Sequence, residues 1–363
     1  MKKKWKTERY KKFNSKRAKN RLKRHLIHKE KRRIKNRKLH GLNKAEQHDH
    51  NFVNEKHSNY VKIAAPINLS FIDNPERVSE FIQKLSKVYD KRKRVFVLLN
   101  KVSNVSYGAI VVLLSIMVKF KSSGISFNGN LPKDPASRKI IEQSGFFENL
   151  YKSFKKVDQY SIKTRNNKIH THASNKVDAE LGSNIIESAT KSIWGTKKRC
   201  QGVQRALLEL MQNTNNHAVL GSEGEKHWWL SVNHNIAEQK VSFSFVDFGI
   251  GVFNSLNNKT EESKFYKWKS KINEIFSSDK NTDLLQIILE GKLHKTVTKK
   301  HYRGKGLPGI NEVMERNQIS NLHIITNDVF ANVSQNKFKK ITNGFSGTFV
   351  YWELTADNEH CDV

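Results

Sequence analysis

Glu209-Leu-Met-Gln-Asn213-Thr-Asn-Asn-His217-Ala218 is the stretch from which the rest of this chain can be read. Glu209, Asn213 and His217 stand four residues apart, so one face of a helix carries all three. Leu207, Leu208 and Met211 lie off that face and can meet a core. Three later stretches follow it in order. Asp247-Phe-Gly249-Ile-Gly251 ends an alternating strand pattern, Arg303-Gly304-Lys305-Gly306-Leu307-Pro-Gly309-Ile310 opens an apolar helix, and Gly344-Phe-Ser-Gly347-Thr348 opens a last strand. Each has a plain structural reading by itself: a polar helix face, a turn after a strand, a glycine-rich loop.

Together and in this order, the four stretches resemble the N, G1, G2 and G3 boxes of the GHKL ATP-binding fold, shared by gyrase, the large heat-shock chaperone, histidine kinases and MutL. The resemblance covers residues 190–356. It implies an α/β sandwich, a mixed sheet backed by helices, that binds ATP with Mg2+. Under it, Asp247 accepts a bond from the adenine amine and anchors a water that Thr348 shares. Gly249 and Gly251 let the backbone approach the purine without a Cβ in the way. Asn213 corresponds to the magnesium ligand, a neutral oxygen beside phosphate oxygens. Gly304, Lys305, Gly306, Leu307 and Gly309 fall where the family holds the phosphates, by backbone N–H groups, a helix N-terminus and a point charge. His217 corresponds to a position near the phosphates, with a helix-surface histidine as the alternative. Glu209 matches the general base of the ATPase branch. Histidine kinases also carry a Glu there, so the residue does not by itself imply hydrolysis. Residues 252–302, a long excursion between the second and third boxes, are expected to form a lid.

Outward from that region, residues 59–155 alternate strand and helix patterns. Val61–Phe71 looks extended, Pro75–Tyr89 is an amphipathic helix, and Val95–Leu99 is a continuous apolar strand of the kind covered on both faces. Ser106–Lys121 is an apolar helix, Ile125–Phe127 a short strand, and Pro135–Ser144 a helix stopped by Gly145. Val95–Leu99, Val105-Ser106-Tyr107-Gly108, Gly124 and Ser144-Gly145-Phe146 resemble a STAS-type domain, the fold of anti-sigma-factor antagonists. The family's phosphoacceptor turn begins with Asp. Here Val105 takes that place, and only Ser106 or Tyr107 could supply the hydroxyl, so docking of a protein partner is expected rather than a phosphorylation switch. Residues 156–189 read as a polar linker, with room for a short hairpin and with Ser183 as a helix cap. Residues 357–363 read as a tail.

Charge is unevenly placed. Of a formal net charge of +32, residues 1–40 hold twenty Lys or Arg against Glu8 and Glu30. With few apolar residues, this segment (extended to residue 58) is expected to be an arm, helical at most when bound. Trp5, Tyr10 and Phe13 among the lysines suit stacking on bases, so DNA or RNA is the expected partner, with sequence-independent, salt-dependent affinity. An acidic protein partner and a solubilising tail are the alternatives. His48, Asp49, His50 and His57 sit on no rigid element that would make a metal site. Cys200 and Cys361 are too far apart in sequence for a disulfide framework or zinc spacing, which fits a reducing cytoplasm. The charged N-terminus does not look like a leader, and Ala109–Val118 is too short to span a bilayer. A cytoplasmic location without membrane contact is expected.

Three functions fit these readings. The first is a nucleotide-driven conformational switch with slow Mg-dependent ATPase activity, a lid, a homodimeric closed state and a basic arm on nucleic acid. The second is a serine or histidine protein kinase or anti-sigma-type regulator, which the STAS-like half favours. The third is a nucleotide-binding scaffold for nucleic acid, as in bacterial defence.

Overall fold

A computed structural model describes residues 15, 20, 58–144, 146, 159–162, 169–174, 176–217, 228–249, 251–257, 281–291 and 306–358. The chain divides into two units, Met1–Asn59 and Tyr60–Val363. The second is a mixed α/β body, and its order begins β1 (Val61–Ala64), β2 (Asn68–Leu69), α1 (Pro75–Asp90), β3 (Val95–Leu98), β4 (Asn104–Val105), α2 (Tyr107–Ser122), β5 (Phe127–Gly129) and α3 (Pro135–Gln143). It continues β6 (Gln159–Ile162), β7 (Ile169–Ser174), α4 (Ala179–Trp194), α5 (Gln201–His217), β8 (Trp228–Asn235), β9 (Lys240–Asp247), α6 (Val252–Asn257), α7 (Asn281–Leu289), α8 (Gly306–Glu315), β10 (Ser320–Asn332) and β11 (Lys337–Thr355).

The first stretch forms a parallel sheet in the order β1-β3-β5, with β2 and β4 as a separate parallel pair. Parallel strands need crossovers, and α1 and α2 supply them. The remaining strands form one antiparallel sheet in the order β10-β11-β9-β8-β7-β6.

That larger sheet is buried on both sides. Trp228, Leu230, Val232, Phe243, Phe245, Val350, Trp352 and Leu354 face one core with α4, α5, α7 and α8. Their alternates, Trp229, Val246, Phe345 and Phe349, face a second core built with α1, α2 and the parallel sheet. The period of two along each strand sorts the side chains between the cores. Helix α2 is apolar almost all round, as a helix buried between two sheets must be. The boundary drawn from sequence at residue 155 is therefore bridged by a shared core. Patterning reveals that a face is apolar, but not which other segment covers it.

Gly108 is the point of closest approach. A Cβ there would stand 2.8 Å from Phe349 Cζ and 3.0 Å from Ser244 Oγ. Phe349 cannot yield freely, because its ring stacks on Phe71 at 5.0 Å. Gly108→Leu is thus expected to cost roughly 2–3 kcal/mol through overpacking. A thermal melt reads this as a clear drop in midpoint, and an unchanged melt would mean the two layers are not pressed together there.

Three expectations are corrected. The stretch 156–189 holds the short hairpin for which it had room, β6 paired with β7, but it is not a linker, because β7 also pairs with β8 and so joins the large sheet. Helix α4 starts earlier than expected, capped by Asp178, whose carboxylate accepts the Leu181 N–H at 2.8 Å, and not by Ser183. Cys200 is buried and disulfide-bonded, although separation in sequence suggested two free thiols. Distance along the chain does not bound distance in the fold; Cys361 lies outside the described residues. Of the tail, Asn358 is 4% exposed and caps β11, its Oδ1 accepting the Thr355 N–H at 2.7 Å. No helix among the described residues is long and apolar enough to cross a membrane.

Candidate functional site

Asp247 is the last residue of β9. It pairs with Trp228 on one side and with Thr348 on the other. The Gly249 N–H donates to Asp247 Oδ1 at 2.9 Å, turning the chain sharply after the strand. Burial pushes the Asp247 carboxyl up to about 6, against the bonds from Gly249 and Thr348, which pull it down. Thr348 is 8% exposed, so a carboxylate and a hydroxyl lie side by side on adjacent strands where β9 ends.

Gly347 makes that pairing sterically tight. Its φ is +123°, and a Cβ would fall 2.0 Å from the Asp247 carbonyl oxygen. The Gly347 carbonyl accepts from Thr326 Oγ1 at 3.1 Å, and Thr326 Oγ1 in turn accepts the Val252 N–H at 3.0 Å. Gly251, with φ +77°, passes so near Asn327 that a Cβ would lie 2.4 Å from its Oδ1. That same Oδ1 accepts the Phe253 N–H at 3.0 Å. The loop after β9 is therefore fastened to β10 by Thr326 and Asn327. Sequence reading missed both. The available signal was the Thr-Asn-Asp run inside a long strand, where Asn327 takes a positive φ of 49° and the pairing register shifts.

A second group forms where α8 meets α5. A Cβ on Gly306 would lie 2.3 Å from Asn213 Nδ2 and 3.5 Å from the Glu209 carbonyl carbon. Near the other end, Gly202 of α5 faces Val313 and Gln318. The two helices thus run antiparallel, and α8 begins over the C-terminal half of α5. Leu307 is buried in the helical core, whereas Gly309 has open space at its Cβ position. Glu209 is held by Arg205 at 3.6 Å, one turn back. Both line a cavity of about 140 Å³ between α5 and α8 with Gly309, Glu312 and Arg316.

The structure therefore brings Asp247, Gly249 and Thr348 together where β9 ends against β11, with Gly251 pinned beside Asn327. At the helix pair it brings Asn213 and the Glu209 backbone to Gly306, whereas the Glu209 side chain lines the cavity with Arg205, Glu312 and Arg316. His217 is the last residue of α5. Gly304 and Lys305 lie outside the described residues. Of the expected lid, α6 and α7 are described. Helix α6 starts at Asn327 through Phe253, and α7 starts at Asp328, whose Oδ1 accepts from Asn281 Nδ2 at 2.6 Å. The excursion leaves and rejoins the sheet at neighbouring residues. Among the described residues no cluster of three or more His, Cys, Asp or Glu could hold a metal ion. A cation at Asn213 would need most of its oxygens from a ligand.

Comparison with known proteins finds no match to any protein-family model, to any curated protein or to any solved structure.

Proposed function

We propose that residues 190–356 form a GHKL-type nucleotide site that binds ATP with Mg2+ and works as a conformational switch, with slow hydrolysis. The observation that carries this reading is the Asp247–Thr348 pair beneath Gly347. A half-buried carboxylate and a hydroxyl side by side, reached by glycine backbone, suit the amine edge of a purine. The carboxylate accepts and the hydroxyl shares a water, while Gly347 and Gly251 let the backbone pass close against Asp247 and Asn327 and so hold the pair in place.

The helix pair suits the other end of the ligand. The N-terminus of α8 offers unpaired backbone N–H groups and positive dipole, which favour phosphate. Asn213 Oδ1 supplies one neutral oxygen to a magnesium ion otherwise held by phosphate oxygens. Helices α6 and α7 are tied to Asn327 and Asp328, two adjacent residues of β10. The basic arm then engages nucleic acid while the nucleotide state sets the body's shape, in the cytoplasm and as a homodimer when closed. The parallel-sheet half, read as STAS-like, covers the outer face of the larger sheet and offers a protein partner its remaining surface.

One observation favours a second reading, a nucleotide-binding scaffold without turnover. The Arg205 guanidinium lies 3.6 Å from the carboxylate of Glu209, the residue expected to act as base, and holds it against its own helix. Titration with a fluorescent ATP analogue, with and without Mg2+, separates the readings when followed by phosphate release. Magnesium-dependent micromolar binding is expected, with slow release that falls ~100-fold or more in Glu209→Ala while binding persists. Binding without release in either protein selects the scaffold. No binding at millimolar nucleotide removes both. Transfer of labelled phosphate to protein would select a kinase.

A further inference from the structure

The C-terminal ends of α1 and α2 meet at one pole of the parallel sheet, and that pole is cationic. Tyr89 and Ser123 hydroxyls lie 2.8 Å apart, and Lys119 Nζ lies 4.5 Å over the Tyr89 ring. The Arg92 guanidinium donates to the Ser123 carbonyl at 3.3 Å. The Val61 N–H donates to the Arg94 carbonyl at 2.9 Å, which ties the end of this run to β1. Lys87 and all of Lys91 to Arg94 are exposed, and Lys119 and Lys121 are half-buried next to them. Within residues 87–94 and 119–126, Asp90 is the sole acid.

Cations at helix C-termini offset the helix dipole, and that accounts for part of this cluster. Two helix ends carry together about one negative charge. The five exposed cations alone, Lys87 and Lys91 to Arg94, against that charge and Asp90 leave a surplus of about three. None of the exposed large apolar residues among the described ones (Ile67, Val177, Ile236) belongs to the pole. A membrane surface would need an apolar face to insert, and a stable protein interface would need an apolar centre. A surface of charge without apolar anchors suits a partner recognised by charge alone.

We infer that this pole, through its exposed Lys87 and Lys91 to Arg94, binds the phosphate backbone of a nucleic acid. The contact lies on the folded body, separate from the arm and from the nucleotide site, and it stands whether or not ATP is bound. It would be sequence-independent and lose strength steeply with salt. It would also fix the body's orientation on the polymer, which a flexible arm alone cannot do.

The test uses the full chain. Lys91→Glu with Lys93→Glu removes two exposed cations, neither near the shared core. Fluorescence anisotropy with a labelled 30-base-pair duplex is read across salt concentrations beside the parent, Lys91→Gln with Lys93→Gln, and a chain lacking residues 1–40. Loss of two phosphate contacts lowers the slope of log affinity against log salt by about 1.8, and affinity at 0.1 M salt by ~50-fold. The Gln pair should show the same loss of slope and a smaller loss of affinity. The arm deletion should retain a residual slope, and the Glu pair introduced into that shortened chain should lower it by about the same 1.8. An unchanged slope in the Glu pair would overturn the inference, as would loss of binding only to anionic vesicles or only to a polyglutamate peptide. An equal melting midpoint for parent and variants shows that folding is not the cause. Nucleotide titration of the same proteins reads the ATP site separately.

Discussion

Asp247→Asn is expected to lose ATP and gain stability. A bond to an ionised carboxylate contributes ~1.5–3 kcal/mol, so its loss weakens nucleotide binding roughly 10- to 150-fold. An amide also turns a donor toward the purine amine, itself a donor. The gain follows from the same carboxyl without ligand. Its folded value lies at about 6, above an unfolded value near ~4. Between those values the folded chain holds more protons than the unfolded chain. Stability from this group is therefore full below pH ~4 and falls as pH rises through 6. The difference is up to about 3 kcal/mol. Denaturant melts of the variant should exceed the parent above pH 7 and converge with it near pH 4. Nucleotide affinity of the parent should fall below pH 6, approaching tenfold per unit, because only the ionised form accepts the amine. A parent more stable than Asp247→Asn at pH 7.5, or ATP affinity equal in the two, would remove Asp247 from the site.

Gly347→Ala is expected to damage the fold and the site together. The new Cβ would meet a backbone carbonyl, not the free end of a side chain. That carbonyl cannot swing away, since Asp247 and Thr348 are paired across the two strands. The φ of +123° adds strain that alanine tolerates poorly. A cost of ~3 kcal/mol or more follows, with the melting midpoint falling by roughly 6 °C or more. The displaced Asp247 should take nucleotide binding with it. Gly309→Ala is the matched comparison. Its Cβ would meet open space, and alanine favours the helix, so stability should hold or rise by ~0.5–1 kcal/mol. Equal melts for the two variants would mean the close contact at Gly347 does not exist.

Much of the architecture was legible in the pattern of residues. Pro75 followed by Glu76 marked the start of α1, and the observed helix ends one residue beyond the expected Tyr89. The alternating pattern that ends at Asp247 marked a strand, and β9 pairs with β8 along its whole length. Both are local signals, in which spacing and end residues settle a segment's form. The segment 156–189 was harder, because His, Thr, Ser and Lys make a weak strand pattern and a neighbouring strand must supply the hydrogen bonds. Thr326 and Asn327 could not be found from local pattern, since their role is to hold a loop more than seventy residues earlier in the chain.

Local sequence settled most of the helices and the strongly apolar strands, where the positive charge gathers, and the order of four polar and glycine-rich stretches. Those follow from periodicity, caps and composition, which act over a few residues. Only the tertiary structure decided that the parallel half closes over the outer face of the larger sheet, that Gly347 presses on Asp247, and that Gly306 seats against Asn213. Each depends on two remote segments meeting at van der Waals distance, and such contacts are set by how apolar faces pack, which no single stretch of chain contains.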